Sequence, residues 1–194
     1  PVSNANLSEE QLDSMEPFFP LHARVCSQCL LVQLQEHQSP SDLFDSNYAY
    51  FSSYSDSWLE HAKKYTELMT SRFGLDEKSQ VVEIASNDGY LLQYFNELGI
   101  PVLGIEPASN VANVAVQKGI ATWTKFFGVK TAKELVKKNL TADLLLGNNV
   151  LAHVPDLNDF VGGMKIALSP DGVITMEFPH ILQQIINNQF DTIY

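Results

Sequence analysis

Residues 81–92, with the sequence VVEIASNDGYLL, constrain the fold most, because a buried-strand pattern changes to a helical one within a single tight turn. The apolar, largely β-branched run at 81–84 is typical of a parallel strand that is covered on both faces. Small and polar residues at 85–89 interrupt this run, and apolar residues at helical spacing follow. Such a turn brings backbone amides and a helix N-terminus close to a nucleotide-like ligand. The stretch therefore predicts one unit of an open parallel sheet with a ligand at its carboxyl edge.

Two acids accompany this pattern. Glu83 lies at the end of the first predicted strand, and Glu106 closes the next apolar run 23 residues later. An offset of about 20 residues is typical of the acid that binds a ribose in a βαβ nucleotide site. We therefore expect Glu106 to accept ribose hydroxyls and Glu83 to meet a ligand hydroxyl or cation. The alternative is that both acids are simply solvated ends of strands.

The sequence after residue 80 alternates strands and helices, which predicts an α/β fold with a parallel sheet and right-handed crossovers. Apolar runs predict strands at 81–85, 102–106, 121–124, 143–148 and 173–178. Amphipathic spacing predicts helices at 89–98, 108–118, 129–138 and 157–168, and a further one from about residue 180. The sequence SPDG at 169–172 is typical of a tight turn before the fifth strand.

The sequence before residue 80 divides into two further regions. Residues 1–45 include LHARVCSQCLLVQLQ, whose C-x-x-C spacing and alternating apolar residues predict a knuckle followed by a short strand. Residues 46–79 hold an aromatic, serine-rich stretch and then a helical pattern from about 56 to 73, which Gly74 can end. Residues 80–194 form the third region, the predicted ligand-binding domain.

The composition excludes some classes of partner. The chain has 12 lysine and arginine residues against 23 aspartate and glutamate residues, a net charge of −11, and no basic cluster for nucleic-acid phosphates. No run of about 18 apolar residues is present, so we expect no transmembrane helix and no membrane partner. The first residues lack the basic start and apolar core of a signal peptide. Together with two cysteines at metal-ligand or redox spacing, these features favour a cytoplasmic protein.

Several motifs resemble those of known enzymes. Glu83-x-Ala85-x-Asn87-x-Gly89 resembles the acid-x-Gly-x-Gly-x-Gly motif of class I S-adenosylmethionine-dependent methyltransferases, with two of the three glycines replaced. Across nearly the whole chain, the sequence is most similar to the nucleotide-deoxysugar C-methyltransferases. The stretches that carry this resemblance are CSQC at 26–29, YAYFSSYSDSW at 48–58, EIASNDGYLL at 83–92, GIEP at 104–107, GNNVLAHVPD at 147–156 and FDTIY at 190–194.

The resemblance implies a fold and a cofactor. The fold is a Rossmann-like class I methyltransferase sheet, here incomplete with its last strands missing, after a small zinc-knuckle-like region, so that the chain is expected to be cut at both ends. The cofactor is S-adenosylmethionine, which has no phosphate, so that Ala85 and Asn87 are compatible with the turn. Glu83 would face the cationic methionine end and Glu106 the ribose. The implied cofactor-binding residues are Glu83, Ala85, Asn87, Gly89, Glu106, Pro107, Asn148, Asn149, Val150, Tyr54 and Ser57.

Cys26 and Cys29 are the candidate metal ligands. Two thiolates supply half of a tetrahedral zinc site, which needs four ligands and would be structural because it leaves no open position. The resemblance implies that a second cysteine pair lies upstream of this chain. The alternatives are a local site completed by His22 and His37, or no metal at all.

The implied reaction is methylation of carbon 3 of a nucleotide-linked 4-keto-deoxysugar. A base removes the proton next to the ketone, and hydrogen-bond donors hold the resulting enolate. His153, which follows the fourth predicted strand, is the candidate base, and Tyr48 and Tyr194 are candidates for polarising the ketone. Packing at the pocket rim is the alternative role for His153 and Tyr48. His61 and His180 are weaker candidates that we interpret as structural.

Two other functions are compatible with the same residues. One is methylation of oxygen or nitrogen of a small metabolite, and the other is cofactor binding without turnover. For the C-methylation described above, the expected partner is a nucleotide-sugar substrate. We expect a monomer or weak self-association through an unpaired sheet edge.

Overall fold

A computed structural model describes residues 7–189 of the chain and is built around a parallel sheet. The strands are β1 (Arg24–Val25), β2 (Val32–Gln33), β3 (Val81–Ile84), β4 (Val102–Ile105), β5 (Thr122–Trp123), β6 (Ala142–Asn148) and β7 (Leu168–Glu177). The α-helices are α1 (Pro40–Leu43), α2 (Asp56–Phe73), α3 (Leu92–Glu97), α4 (Ser109–Gln117), α5 (Val129–Lys137), α6 (Leu157–Ala167) and α7 (Ile181–Ile186). Short 3₁₀ turns occur at Glu9–Gln11, Ser52–Tyr54 and Leu151–His153.

The main sheet has the strand order β5-β4-β3-β6-β7, and every neighbouring pair is parallel. The chain moves outward from β3 to β5, and then returns to place β6 on the other side of β3. The point between β3 and β6 is therefore the topological switch, where open α/β sheets form a ligand crevice beyond the carboxyl ends of the strands. The predicted α/β fold and parallel sheet are confirmed.

Two apolar cores cover the two faces of the sheet. Residues 81 and 144 of β3 and β6 pack with α2 and α3, whereas residues 82 and 145 pack with α5 and α6. This alternation follows from the two-residue period of a strand. Because β3 is fully buried, both of its faces are apolar except at Glu83.

Helix α2 has the bounds that the sequence predicts. The Ser55 hydroxyl caps its first turn by accepting a hydrogen bond from the backbone N–H of Trp58 at 3.3 Å. Gly74 ends the helix in a left-handed conformation with φ of 62°. None of the helices within residues 7–189 combines the length and the apolar character that crossing a membrane requires.

The predicted tight turn at 169–172 is wrong as a strand boundary, because β7 already begins at Leu168. Ala142 pairs with Leu168 and Leu144 pairs with Val173, so four residues of β7 lie opposite the single residue Asp143. The Ser169 hydroxyl donates to the Asp143 carboxylate at 2.7 Å within this irregularity. The turn residues therefore form a bulge inside the strand. Helix α3 also begins later than predicted, at Leu92, because the turn after β3 extends further.

Candidate functional site

The turn after β3 has an unusual backbone. Ala85, Asn87 and Gly89 are left-handed, with φ of 56°, 49° and 76°. These are the three positions at which the methyltransferase motif carries glycine, so the replacements leave the glycine-like geometry unchanged. The backbone N–H of Ala85 holds the turn by donating to the carbonyl of Ile105 at 2.8 Å. A ligand without phosphate therefore does not fully explain why alanine and asparagine replace glycine here. Ala85 and Asn87 still have a left-handed backbone, which costs an L-residue free energy.

Glu106 lies just beyond the carboxyl end of β4 and is 3% exposed. Its Oε2 accepts a hydrogen bond from the backbone N–H of Asn87 at 2.9 Å, and its Oε1 accepts one from Ala108 at 2.8 Å. Burial nevertheless raises the pKa of Glu106 to about 7, against the lowering effect of the two donors. Each carboxylate oxygen retains further acceptor capacity, so the side chain is oriented and still able to accept ligand hydroxyls.

Glu83 is fully buried, and neither of its carboxylate oxygens has a hydrogen-bond partner among residues 7–189. Burial raises the pKa of Glu83 well above its ordinary value; the nearby Tyr90 hydroxyl opposes this shift, and the charges of Glu106 and Asp88 add to it. A buried carboxyl without a partner is costly unless a ligand compensates it, and such groups concentrate at functional sites.

The carboxyl end of β6 carries the next predicted residues. The Asn148 amide donates to the Tyr90 hydroxyl at 3.2 Å, which joins β6 to the turn after β3. Asn149 is left-handed and exposed, and its backbone N–H donates to the carbonyl of Glu177. Val150 follows and is half-buried.

His153 ends the 3₁₀ turn that follows β6. Partial removal of its imidazole from solvent lowers the pKa of His153, although the side chain keeps contact with water. A neutral imidazole is the form that can accept a proton, so the position suits the predicted base.

A stack of rings that the sequence did not predict lies beside these residues. The Trp58 ring stacks on Tyr90 with centroids 5.9 Å apart and on His61 with centroids 4.9 Å apart. The His61 Nε2 lies 2.8 Å from the Glu177 carboxylate at the end of β7. Helix α2 is thus attached to the carboxyl edge of the sheet. The one sequence feature that could have indicated this stack is an aromatic residue, Tyr90, directly after the Asp-Gly of the turn.

Segment 48–53, called the aromatic strap below, leads into the 3₁₀ turn at Ser52–Tyr54 and crosses the turn after β3 and the start of α4. The Asn110 amide donates to the carbonyl of Tyr48 at 2.8 Å, and the Asn87 amide donates to that of Tyr50 at 3.0 Å. The Asn87 side-chain oxygen also accepts from the backbone N–H of Ser52 at 2.9 Å. A serine–aspartate hydrogen bond, from the Ser53 hydroxyl to the Asp88 carboxylate, completes the attachment. The predicted residue Tyr48 is therefore held through its carbonyl at the start of α4, close in sequence to Glu106, while the rest of the strap contacts the turn after β3.

The remaining predicted residues are less enclosed. Tyr54 is 81% exposed and stacks on Phe51 with centroids 5.2 Å apart. Ser57 is exposed in the first turn of α2, where its hydroxyl lies 3.1 Å from that of Ser55. Pro107 is half-buried directly after Glu106. Tyr194 lies outside the described residues. The roles given to these residues stay predictions.

The cysteine pair lies in the turn between β1 and β2. The backbone N–H of Cys26 donates to the carbonyl of Leu31 at 2.9 Å, and the backbone N–H of Leu30 donates to the carbonyl of Cys26 at 3.0 Å. The backbone N–H of Cys29, and then that of Gln28, lower the pKa of the Cys26 thiol. No third histidine, cysteine or carboxylate joins the pair within the described part of the chain. The local site with His22 and His37 is therefore wrong for these residues.

Taken together, the loops after β3 and β4 suit one kind of ligand. The two buried acids, Glu83 and Glu106, offer oxygens that can accept hydroxyls, and a cation would stabilise their charged forms. The Lys118 ammonium contacts the Asp88 carbonyl at 3.0 Å and its carboxylate at 3.2 Å, so this cation is already paired. A ribose joined to a cationic group matches the donors and acceptors that these loops present.

Comparisons with known proteins agree with this geometry. The chain is 34% identical over its whole length to the C-methyltransferase NovU of Streptomyces niveus, and it covers 46% of that protein. The chain thus spans about half the length of this relative.

Two solved structures share the fold. The crystal structure of DesVI from Streptomyces venezuelae has 15% identity and a TM-score of 0.52, over 66% of this chain and 53% of its own. A SAM-dependent methyltransferase from Archaeoglobus fulgidus has 18% identity and a TM-score of 0.52, over 63% of this chain and 53% of its own. At these identities the likeness concerns the fold.

Two family models match the chain. The model described as "Putative zinc binding domain" matches residues 1–44 and includes the cysteine knuckle. The model described as "Methyltransferase domain" matches residues 29–191, which include the sheet, both acids and the aromatic strap. The resemblance drawn from the sequence is confirmed, and the chain belongs to the methyltransferase domain family.

Proposed function

We propose that this chain carries the cofactor site of an S-adenosylmethionine-dependent C-methyltransferase that acts on carbon 3 of a nucleotide-linked 4-keto-deoxysugar. The observation that carries the proposal is the buried Glu106 carboxylate, which two backbone N–H groups orient beyond the carboxyl end of β4. In this role Glu106 accepts both ribose hydroxyls. The similarity to a C-methyltransferase over the whole chain supports the type of atom that is methylated.

The other acid provides the second contact with the cofactor. The Glu83 carboxyl is fully buried, with the Tyr90 hydroxyl nearby and no salt bridge among residues 7–189, so a cationic methionine group would stabilise its charged form. Residues of the adjoining loops would complete the pocket. These residues are Ala85, Asn87, Gly89, Pro107, Asn148, Asn149, Val150, Tyr54 and Ser57.

The reaction requires a carbanion at carbon 3 of the sugar. His153 is the proposed base: its lowered pKa keeps the imidazole neutral, so that it can take the proton next to the 4-ketone. Tyr48 and Tyr194 would donate hydrogen bonds to the ketone oxygen and stabilise the enolate. When bound, S-adenosylmethionine supplies the methyl group that the enolate carbon receives.

We also propose that Cys26 and Cys29 hold a structural zinc ion together with two ligands from outside the described residues. The hydrogen bonds that lower the pKa of Cys26 favour the thiolate that zinc requires. The same pair of thiols in a reducing compartment would stay free of a disulfide, which supports a cytoplasmic location. The substrate partner is a nucleotide-sugar, and the protein is a monomer or associates weakly.

Calorimetric titration of the chain with S-adenosylhomocysteine tests the cofactor site. We expect micromolar binding by the wild-type chain, a loss of at least tenfold in Glu106→Gln, and no loss in Glu77→Gln. Glu77 is an exposed acid in the loop before β3, at the opposite edge of the sheet. A folded wild-type chain that does not bind the ligand would contradict the proposal.

The substrate is tested with the complete gene product and nucleotide-linked 4-ketosugars. Nuclear magnetic resonance of the product distinguishes a methyl group on carbon 3 from one on oxygen or nitrogen. A new O-methyl or N-methyl signal would replace the C-methylation proposal. Cofactor binding without any methylated product would favour the binding function alone.

A further inference from the structure

The aromatic strap is attached mainly through its backbone. Three of its four hydrogen bonds to the loops after β3 and β4 use backbone groups, at Tyr48, Tyr50 and Ser52. These groups belong to every second residue of the strap, up to the point where the 3₁₀ turn begins at Ser52. The partners on the other side are the side chains of Asn87 and Asn110.

Asn87 joins three parts of the site. Its backbone N–H donates to Glu106, while the two ends of its side-chain amide bind the strap at Tyr50 and Ser52. The residue is 6% exposed, so water cannot readily replace these bonds. A glycine at this position would keep the left-handed backbone and lose both bonds to the strap.

Asn110 provides the second attachment from the other loop. It lies in the first turn of α4, four residues after Glu106, and donates to the carbonyl of Tyr48. The strap is therefore attached both to the turn after β3 and to the start of α4, with Tyr48 at the second of these points. Neither asparagine needs to touch a substrate in order to set the position of Tyr48.

We propose that Asn87 and Asn110 are positioning residues, whose side chains hold the aromatic strap across the carboxyl ends of β3 and β4 and thereby set Tyr48 over the substrate. This inference rests on the proposed function for the role of Tyr48. In this arrangement the backbone N–H of Asn87 holds the Glu106 carboxylate, and the Asn87 side chain holds the strap. Loss of the side chain then affects the sugar substrate more than the cofactor.

The first experiment measures the strap itself, by amide hydrogen exchange of Ser52 in the 194-residue chain. We expect Asn87→Gly to accelerate exchange roughly tenfold or more, because the acceptor of the Ser52 N–H is removed. Asn139→Gly is the matched control, since Asn139 is left-handed with φ of 56° but is exposed after α5. Equal exchange of Ser52 in the wild type and Asn87→Gly would overturn the proposed attachment.

The second experiment separates positioning from cofactor binding. Asn110→Asp keeps the shape of the side chain and removes the donor to the Tyr48 carbonyl. In the complete gene product, we expect kcat/KM for the 4-ketosugar to fall at least tenfold in Asn87→Gly and Asn110→Asp. In Asn110→Asp, whose side chain is not among the proposed cofactor-binding residues, the dissociation constant of S-adenosylhomocysteine should change less than threefold. A loss of affinity in Asn110→Asp as large as that of Glu106→Gln would overturn the proposal, because the Asn110 side chain would then bind the cofactor.

The two proposals can fail separately. If the wild-type chain does not bind S-adenosylhomocysteine, the proposed function fails, and the exchange rate of Ser52 still reports whether the strap is attached. If the wild type binds and the strap exchanges as before in Asn87→Gly, the positioning role fails and the cofactor site stands.

Discussion

The backbone N–H of Asn87 donates to Oε2 of Glu106 at 2.9 Å, so the turn after β3 and the loop after β4 meet at one buried carboxylate. A ribose that binds to this carboxylate would therefore contact a group that already organises the turn. The arrangement makes the protonation of Glu106 important for both folding and ligand binding. It also explains why a carboxylate, with two acceptor oxygens, suits the position.

Folding stability should depend on pH through Glu106. Its pKa is about 7 in the folded chain and near 4.5 otherwise, so its contribution is fully present below about pH 4.5 and is lost as the pH rises through 7. The 2.5-unit difference corresponds to about 3 kcal/mol. Urea denaturation between pH 4 and 8 should show that the free energy of unfolding falls less steeply in Glu106→Gln than in the wild type. Parallel pH curves for the two proteins would contradict this assignment.

Ala85→Gly should stabilise the chain by up to about 1 kcal/mol. The left-handed backbone costs an alanine about 1–2 kcal/mol, and glycine loses about 0.5–1 kcal/mol through its greater freedom in the unfolded state. Ala121→Gly is the control, because Ala121 is exposed and not left-handed, and there we expect destabilisation. Thermal or urea unfolding of both variants measures the difference. A less stable Ala85→Gly would mean that the methyl group makes contacts that outweigh the strain.

Helices α5 and α6 approach closely at one glycine of a neighbouring pair. A Cβ on Gly163 would lie 2.7 Å from the carbonyl carbon of Gly128 and 3.0 Å from the backbone nitrogen of Val129. A Cβ on Gly162 would meet only the Val129 Cγ2, at 3.3 Å. We expect Gly163→Ala to lose about 1–3 kcal/mol of unfolding free energy. Gly162→Ala should be neutral or up to about 1 kcal/mol more stable, because alanine favours a helix. Equal effects of the two substitutions in urea denaturation would rule out the close helix contact.

The contact between the His61 ring and the Glu177 carboxylate should contribute little to stability. Its side chains are 47% and 41% exposed, and pairs with this access to water typically contribute under about 1 kcal/mol. A double-mutant cycle with His61→Ala and Glu177→Ala measures the coupling free energy at neutral pH. A coupling well above 1 kcal/mol would indicate that the stack with Trp58 removes the pair from water more than the exposure suggests.

Local patterns predicted the positions of the two acids that the β3-α3-β4 unit brings to the carboxyl edge of the sheet. Glu83 and Glu106 could be found because each ends an apolar run, and the sheet brings the ends of neighbouring parallel strands together. The strap could not be found in this way, because its contacts join residues 35 to 62 positions apart, such as Ser52 with Asn87 and Asn110 with Tyr48. From the sequence, Asn87 was predicted to bind the cofactor and Asn110 to lie in a helix, and neither pattern indicated a contact with the strap.

The wrongly placed turn has the same origin. Residues 169–172 have good turn chemistry, but pairing with β6 on both sides retains them within β7 as a bulge. The interpretation of His61 as structural is not contradicted, but its contact with Glu177, 116 residues away, could not be predicted either. Both features depend on long-range contacts, which a local sequence pattern does not contain.

The attachment of the strap through Tyr48 and Tyr50 carbonyls has a consequence for evolution. A backbone carbonyl is present whatever the side chain, so substitutions at these two positions would leave the hydrogen bonds to Asn110 and Asn87 in place. Selection could therefore change the surface that faces a substrate without loosening the segment that presents it. The same two asparagines would serve relatives with different substrates, and variation would concentrate in the side chains between them.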